Sequence, residues 1–416
     1  MILRLAIASL RARALTVGLT ILSIALSVTL FLGVEKIRIG AQQSFEGTIS
    51  GTDLIFGARA GSVQLLLHTV FRIGTPTNNV TWESVQDVAA RPEVAWVVPI
   101  SLGDSHFQFR VMGTTAAFFD RFRYRGTQTL RFASGQAFDD LFDAVIGADV
   151  AAELGYQEGQ PIVLSHGIAS FVAHEDWPFR ISGILARTGT PLDRTVIVSL
   201  EGLEAIHVDW QGGGRRPGSP TPKAALRAMD LTPQSVTAAL VGVESRLHIF
   251  QLQRWINGYR QEPLMAILPG VALSELWQIV GLAEIALRAV SAMVVITALF
   301  GMTASTFASL NERRREMAIW RANGGSPGTI LGLLVLEAVL MGVIASLIGI
   351  ALVHAVLFAI RPLIDSTFGL WLPIGWPGAQ ELMIVAVVIG TGALASLLPG
   401  WRAYRMSLAD GMMVRT

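Results

Sequence analysis

The chain contains no cysteine. That excludes disulfides, iron–sulfur clusters and thiolate zinc sites. It holds two lysines, Lys36 and Lys223, and neither stands in a Gly-x-x-x-x-Gly-Lys-Ser/Thr run. The phosphate-cradling loop of P-loop nucleotidases needs that lysine on the β/γ-phosphates. These 416 residues therefore hydrolyse no nucleotide by that route. Charge is scarce as well, at 15% of residues against about 25% in soluble domains. The net charge of +1 lacks the basic footprint of a nucleic-acid binder. No Ser-His-Asp set has interpretable spacing, and no catalytic constellation emerges.

What the chain has in abundance is apolar residues, 52% of the total. A helix needs about 20 mostly apolar residues to cross the hydrocarbon core. Four stretches qualify: 14–34, a second span within 273–309, 328–360 and 381–400. The first is long for a signal-peptide core, and no clear small-x-small cleavage site follows it, so it is expected to stay as a helix. Residues 1–13 interleave Arg4, Arg11 and Arg13 with Ile2, Leu3, Leu5, Ile7 and Leu10, as an interfacial elbow helix does. Arginines cluster before the first span, between the second and third, and after the fourth. By the positive-inside rule both termini (the tail being 401–416) are cytoplasmic and residues 35–272 lie outside, with a short outer loop at 361–380.

The outer region alternates strand and helix patterns. Strands are expected at 53–58, 94–103, 107–114, 236–243 and 263–270, with a turn at Gly103-Asp104. Helices are expected at 81–91, capped by Thr81, and at 246–260. Together they predict a split β-α-β-β-α-β arrangement over 45–115 and 224–270. A β-rich, independently folded insert (116–206) follows its third strand, and a flexible Gly/Pro-rich linker (210–223) leads back. The predicted class is thus an α-helical membrane protein, four spans arranged one plus three, with a large extracytoplasmic α+β domain.

His166, His174, Glu175 and Asp176 make the densest titratable group, but they flank an expected hairpin, so no metal site is expected from sequence. Glu337 lies in the third span and should face protein, because a carboxylate in hydrocarbon costs about 3 kcal/mol. Gly342 with Ser346, and Ala345 with Gly349, give small-xxx-small spacing for close helix packing or gating. Glu284 and Arg288, four apart, read as a helix-supporting pair in a stalk above the second span.

The segment "NERRREMAIWRANGGSP" (311–327) sits between two apolar spans. Asn311 is a plausible N-cap, Glu312 suits a helix first turn, and Met317 and Trp320 share a face. Arg313, Arg314 and Arg321 mostly populate the rest, Glu316 falls four after Glu312, and Gly324-Gly325 stops the helix before Pro327. A loop that merely obeyed the positive-inside rule would need no paired glutamates, Trp or Gly-Gly stop.

This segment resembles the Glu-Arg-x-x-Glu-Ile-x-x-x-Arg-Ala-x-Gly-Ala-Ser run of the FtsX/MacB/LolC-type ABC permeases. The ending "LLPGWRAYRMSLADGM" and the outer stretches "DAVIGADVAAELGYQEGQPIVL" and "FRISGILARTGT" are similar to theirs too. The resemblance implies that residues 310–327 form a cytoplasmic coupling helix. This helix docks on a separate ABC ATPase present in two copies, which binds the ATP and Mg; the chain itself carries no cofactor. It also implies a second permease chain, in a homodimer, and a bacterial inner (plasma) membrane location in contact with lipid. A periplasmic adaptor or lipoprotein partner would fit, and no nucleic acid is involved. The implied function is a non-catalytic permease subunit that exports or extracts a lipid-linked, peptide or drug-like substrate. The alternatives are an FtsX-like subunit gating an extracellular hydrolase, or a peptide or antibiotic sensor.

Overall fold

The computed structural model describes residues 2–167, 173–211, 214–215, 220–312, 319, 325–368 and 374–405. They fall into two compact units. One comprises Met1–Gly40, Gly281–Pro362 and Pro373–Thr416, the other Ala41–Val280 with Leu363–Leu372.

The first unit is helical. Four helices are long and apolar enough to cross a membrane, with spans at Ala14–Thr48, Pro269–Ala308, Pro327–Ile364 and Glu381–Arg402. A separate amphipathic helix, Ile2–Ala12, precedes them and breaks at Arg13. On the first span Leu15, Leu19, Leu22, Leu26 and Leu30 are exposed, whereas Ile24, Ala25, Val28 and Leu32 are buried. That is the 3.6-residue period of a helix with a lipid face and a protein face.

Each span helix outruns its sequence expectation. The first continues to Thr48, and the third runs through Pro362 to Phe368, shortening the loop expected at 361–380. The fourth runs through Pro399 to Arg405. The second is a single helix whose described part runs from Pro269 to Glu312 and includes Asn311. No breaker stands between Leu310 and Glu312 to end the run. Ser326 instead caps the third helix: its hydroxyl accepts from Thr329 N at 3.2 Å, with Pro327 at the first helical position.

The second unit is built on one ten-stranded sheet. Its strands are β1 (Leu54–Ala58), β2 (Val94–His106), β3 (Phe109–Thr114), β4 (Phe132–Gly135), β5 (Asp143–Ile146), β6 (Pro161–Ile162), β7 (Phe179–Leu185), β8 (Thr195–Ser199), β9 (Ala238–Val243) and β10 (Leu264–Ile267). The order is β10-β1-β9-β2-β3-β8-β5-β7-β4, with β6 against β7. The run β10-β1-β9-β2 is the expected split motif. Helices Trp82–Ala89 and Ile249–Asn257 cover one face through Val85, Val88, Leu252 and Ile256, packed on Leu54, Phe56 and Val241. Thr81 caps the first of these by accepting from Ser84 N at 3.4 Å, as its sequence position predicts. The other face carries Ile55, Val98 and Leu240 under a helix that the sequence pattern does not announce, Ser62–Phe71.

Two expectations are corrected here. The β-rich insert leaves after the second strand of the split motif and is not a separate body: β3 pairs antiparallel with β2 and parallel with β8, so one sheet runs through both. The described ends of the linker are also ordered. Trp210–Gln211 pairs with Gly214–Arg215, and Thr221 N donates to Asp209 at 2.8 Å.

The β2/β3 hairpin turns at Phe107-Gln108, closed by the His106–Phe109 pair, with Phe107 at φ 53°. Gly103-Asp104, expected as the turn, is instead a β-bulge. Leu102 faces Met112 while Ser105 faces Arg110, so β2 carries one extra residue there. A bulge re-aims side chains and often marks a functional edge.

Candidate functional site

Most of the segment expected to couple to an ATPase, namely Arg313, Arg314, Glu316, Met317, Trp320, Arg321 and Gly324, lies outside the described residues. Glu312 is the last described residue of the second helix, and Gly325 precedes the Ser326 cap.

Within the helical unit the structure brings the small residues of the third span into contact with its neighbours. A Cβ on Gly349 would meet Ala25 O and Val28 Cγ1 of the first span, each at 2.9 Å. Thr29 spans the same seam, donating to Ala25 O at 2.8 Å and to Gly349 O at 3.2 Å. A Cβ on Gly342 would lie 3.6 Å from Ile389 of the fourth span, and Ala345 and Ser346 are fully enclosed.

Charge is paired at both ends of this unit. Glu337, 3% exposed, accepts from Arg13 at 3.1 Å, so it faces protein as expected. Farther along, Glu35 accepts from Arg38 at 2.7 Å and lies 3.4 Å from Arg288, while Arg38 lies 3.7 Å from Glu284. Glu284 and Arg288 thus pair across to the first helix, whereas sequence spacing pairs them with each other. Lys36 bridges to Glu381 of the fourth helix at 2.9 Å. Sequence reasoning passes over Glu35, Lys36, Arg38 and Glu381. Their signal is the charged run Glu35-Lys36-Ile37-Arg38 that follows the first apolar stretch and Glu381 at the start of the fourth, since charge beside apolar helices must find partners.

In the sheet unit the bulge gathers a second group. Ser165 bridges to Ser105 and to Ala173, which stitches the flanking segment onto β2 beside Asp104. Ser105 N donates to Ser165 O at 3.0 Å, and His174 N to Leu164 O at 2.8 Å. His166 and His174 therefore sit on opposite arms over the bulge. His207 reaches the same place from the end of helix Leu200–Ala205. One ligand-type atom from each of Asp104, His166, His174 and His207 lies within 4.8 Å of all the others. Glu175 and Asp176 are exposed and stand outside this group.

The electrostatics of this cluster are tight. Asp104 is 2% exposed and lies 3.5 Å from both His166 Nδ1 and His207 Nε2. Burial works to raise its carboxyl, but the facing His166 and His207 outweigh that and hold it well below the usual carboxylate range. Burial pushes the His174 imidazole down to about 4. Burial likewise opposes charge on His207, but the Asp104 carboxylate outweighs it and moves the imidazole up. Trp210 covers the group, its ring 4.7 Å from those of both His166 and His174.

The family model described as MacB-like periplasmic core domain matches residues 17–241, and that described as FtsX-like permease C-terminal matches residues 288–408. No curated protein matches the chain. Among solved structures, the periplasmic region of MacB from Actinobacillus actinomycetemcomitans matches at 10% identity and TM-score 0.34, covering 55% of this chain and 94% of that one. The extracellular domain of the noncanonic ABC-type transporter YknZ from Gram-positive bacteria matches at 13% identity and TM-score 0.31, covering 52% and 99%. The assignment rests on the two family models, which between them take in the first span, most of the sheet unit, and the chain from within the second helix through the fourth. The chain belongs to the FtsX/MacB-type ABC permeases, a family of membrane proteins with an extracytoplasmic domain that work with an ABC ATPase.

Proposed function

We propose that the chain is the non-catalytic permease subunit of a bacterial inner-membrane ABC transporter. A separate ATPase, in two copies under a permease homodimer, binds ATP and Mg. Its closure moves residues 310–327, and the second helix passes that motion to the extracytoplasmic unit. The work is export or extraction of a lipid-linked, peptide or drug-like substrate. The observation that carries this reading is the uninterrupted helix Pro269–Glu312, 44 residues long. At 1.5 Å per residue that is about 66 Å, roughly twice the hydrocarbon thickness. A helix of that length has a full membrane span plus a long extension, and its described part reaches the charged segment. The ten-stranded outer sheet favours substrate handling over the gating of a hydrolase, for which a small outer domain suffices.

Reversing Glu312 and Glu316 together to Lys tests the coupling. Both lie outside the apolar spans, so insertion should survive. Losing a charge-paired contact costs about 2–5 kcal/mol in binding, enough to reduce co-purification with the ATPase by more than about tenfold. The matched reversal of the exposed Asp120 and Glu201 should leave it unchanged. Normal co-purification with intact substrate-stimulated turnover in the Glu312/Glu316 variant would falsify the coupling role.

A further inference from the structure

We propose that Asp104, His166, His174 and His207 form a binding site for a divalent transition metal, Zn²⁺ by its chemistry, in the extracytoplasmic unit. The donors are three imidazoles and one carboxylate, a set that suits zinc in four-coordinate geometry. Thiolate competition is absent because the chain has no cysteine.

Five observations converge on it. His207 Nδ1 lies 2.8 Å from Leu203 O, which makes Nδ1 the protonated nitrogen of the neutral ring and leaves the Nε2 lone pair facing the cluster. Metal-bound histidines are oriented in this way, through a backbone carbonyl on the far nitrogen. That same Nε2 lies 3.0 Å from His166 Nδ1 and 3.5 Å from Asp104 Oδ2. At 3.0 Å one of the two facing imidazole nitrogens must carry a proton in the empty site, and a metal cation would take that proton's place between the nitrogens and the carboxylate. His174 is 2% exposed, and neither of its ring nitrogens has a hydrogen-bond partner among the described residues. Asp104 Oδ2 is likewise buried without a hydrogen bond. Such groups cost free energy unless something satisfies them. Finally, the ion pairs Asp104 makes among the described residues are with imidazoles, not with Arg or Lys.

The scaffold is also suited to the task. Asp104 is fixed by the bulge and accepts from Gly167 N at 3.3 Å, and Ser105 Oγ donates to Gly167 O at 2.6 Å. Gly167 holds φ +75°, so the loop turns sharply just after His166. A tetrahedral zinc with bonds of about 2.1 Å has ligand separations of about 3.4 Å. The present separations reach 4.8 Å, so binding draws the group inward. The His166 side chain, 40% exposed, has the room to turn and leaves the ion a route from solvent.

The test uses the full-length chain in detergent, purified without a polyhistidine tag, stripped with a chelator and dialysed against Zn²⁺. One Zn²⁺ should bind per chain. Co²⁺ in its place should give the intense d–d absorption of a tetrahedral nitrogen/oxygen site. The double variant His166→Ala/His207→Ala should weaken Zn²⁺ binding at least about 100-fold and abolish that band, with far-ultraviolet circular dichroism unchanged. Should the double variant not fold, His166→Ala alone, at a half-exposed position, should weaken binding at least about tenfold. No stoichiometric Zn²⁺ in the parent chain, or the same affinity in a folded variant, overturns the site. Coupling to the ATPase is read separately, so failure here leaves the permease reading intact.

Discussion

A Cβ contact under 3.0 Å forces something to move, and at Gly349 one of the atoms met is the backbone oxygen of Ala25. The first and third helices approach this closely because glycine presents no side chain at the seam. Gly349→Leu should therefore separate them and destabilise the helical unit by about 1–3 kcal/mol, the usual cost of overpacking. Gly332 lies on the same helix, and a Cβ added there would meet nothing within 4 Å, so Gly332→Ala should be neutral or mildly stabilising. Thermal unfolding in detergent separates the two, and equal effects would contradict the seam. Small-xxx-small spacing in the sequence points to this contact but cannot say which helix meets it. Asp104 and His207 are less legible still. The distance along the chain between Asp104 and His207 hides the cluster, and the extra residue in β2 turns an apparent turn residue into a buried ligand-type carboxylate.

At the scale of elements, strong periodicity is readable and non-local pairing is not. The four apolar helices, the Thr81 cap and the strands of the split motif follow from local pattern. Their ends do not: the third and fourth helices run on through Pro362 and Pro399, which local pattern takes as stops. The continuous sheet escapes for a related reason: the β3/β8 pairing joins residues far apart in the chain (Arg110 with Thr195), and nothing local encodes it. The same gap explains the charged group on the first two helices. Glu35, 3% exposed, serves both Arg38 and Arg288, whereas Glu284 serves Arg38 at longer range. Glu35→Gln removes the anion that two arginines share, and Glu284→Gln does not. The first should cost about 2 kcal/mol more than the second, given that breaking a buried pair costs about 3–5 kcal/mol and Arg288 is partly exposed. A Glu35/Arg288 double-mutant cycle in detergent should show a coupling of at least about 0.5 kcal/mol. Zero coupling would make the contact incidental.

For the whole molecule, orientation is the property on which the transport reading turns, and the orientation we propose rests on the arginine distribution. Arg4, Arg11 and Arg13 flank the first span; the arginines of residues 313–321 lie between the second and third; Arg402 and Arg405 follow the fourth. Translocating any of these groups would move several guanidinium charges across hydrocarbon, at about 2.5–3.5 kcal/mol for each at the helix centre. The region from Glu35 to the second span is much longer than the short loops the rule governs, so it follows the orientation the arginines impose. The absence of native cysteine gives a clean background for reading this out. Thr127→Cys, in the exposed Arg125–Gln128 stretch of the sheet unit, should react with a membrane-impermeant maleimide on cells whose outer membrane is permeabilised. Ser326→Cys, exposed at the cap of the third helix, should react only after the inner membrane is also opened. The reverse pattern would place the charged segment outside, where no ATPase could reach it, and the coupling mechanism would fall while the fold and the family stood.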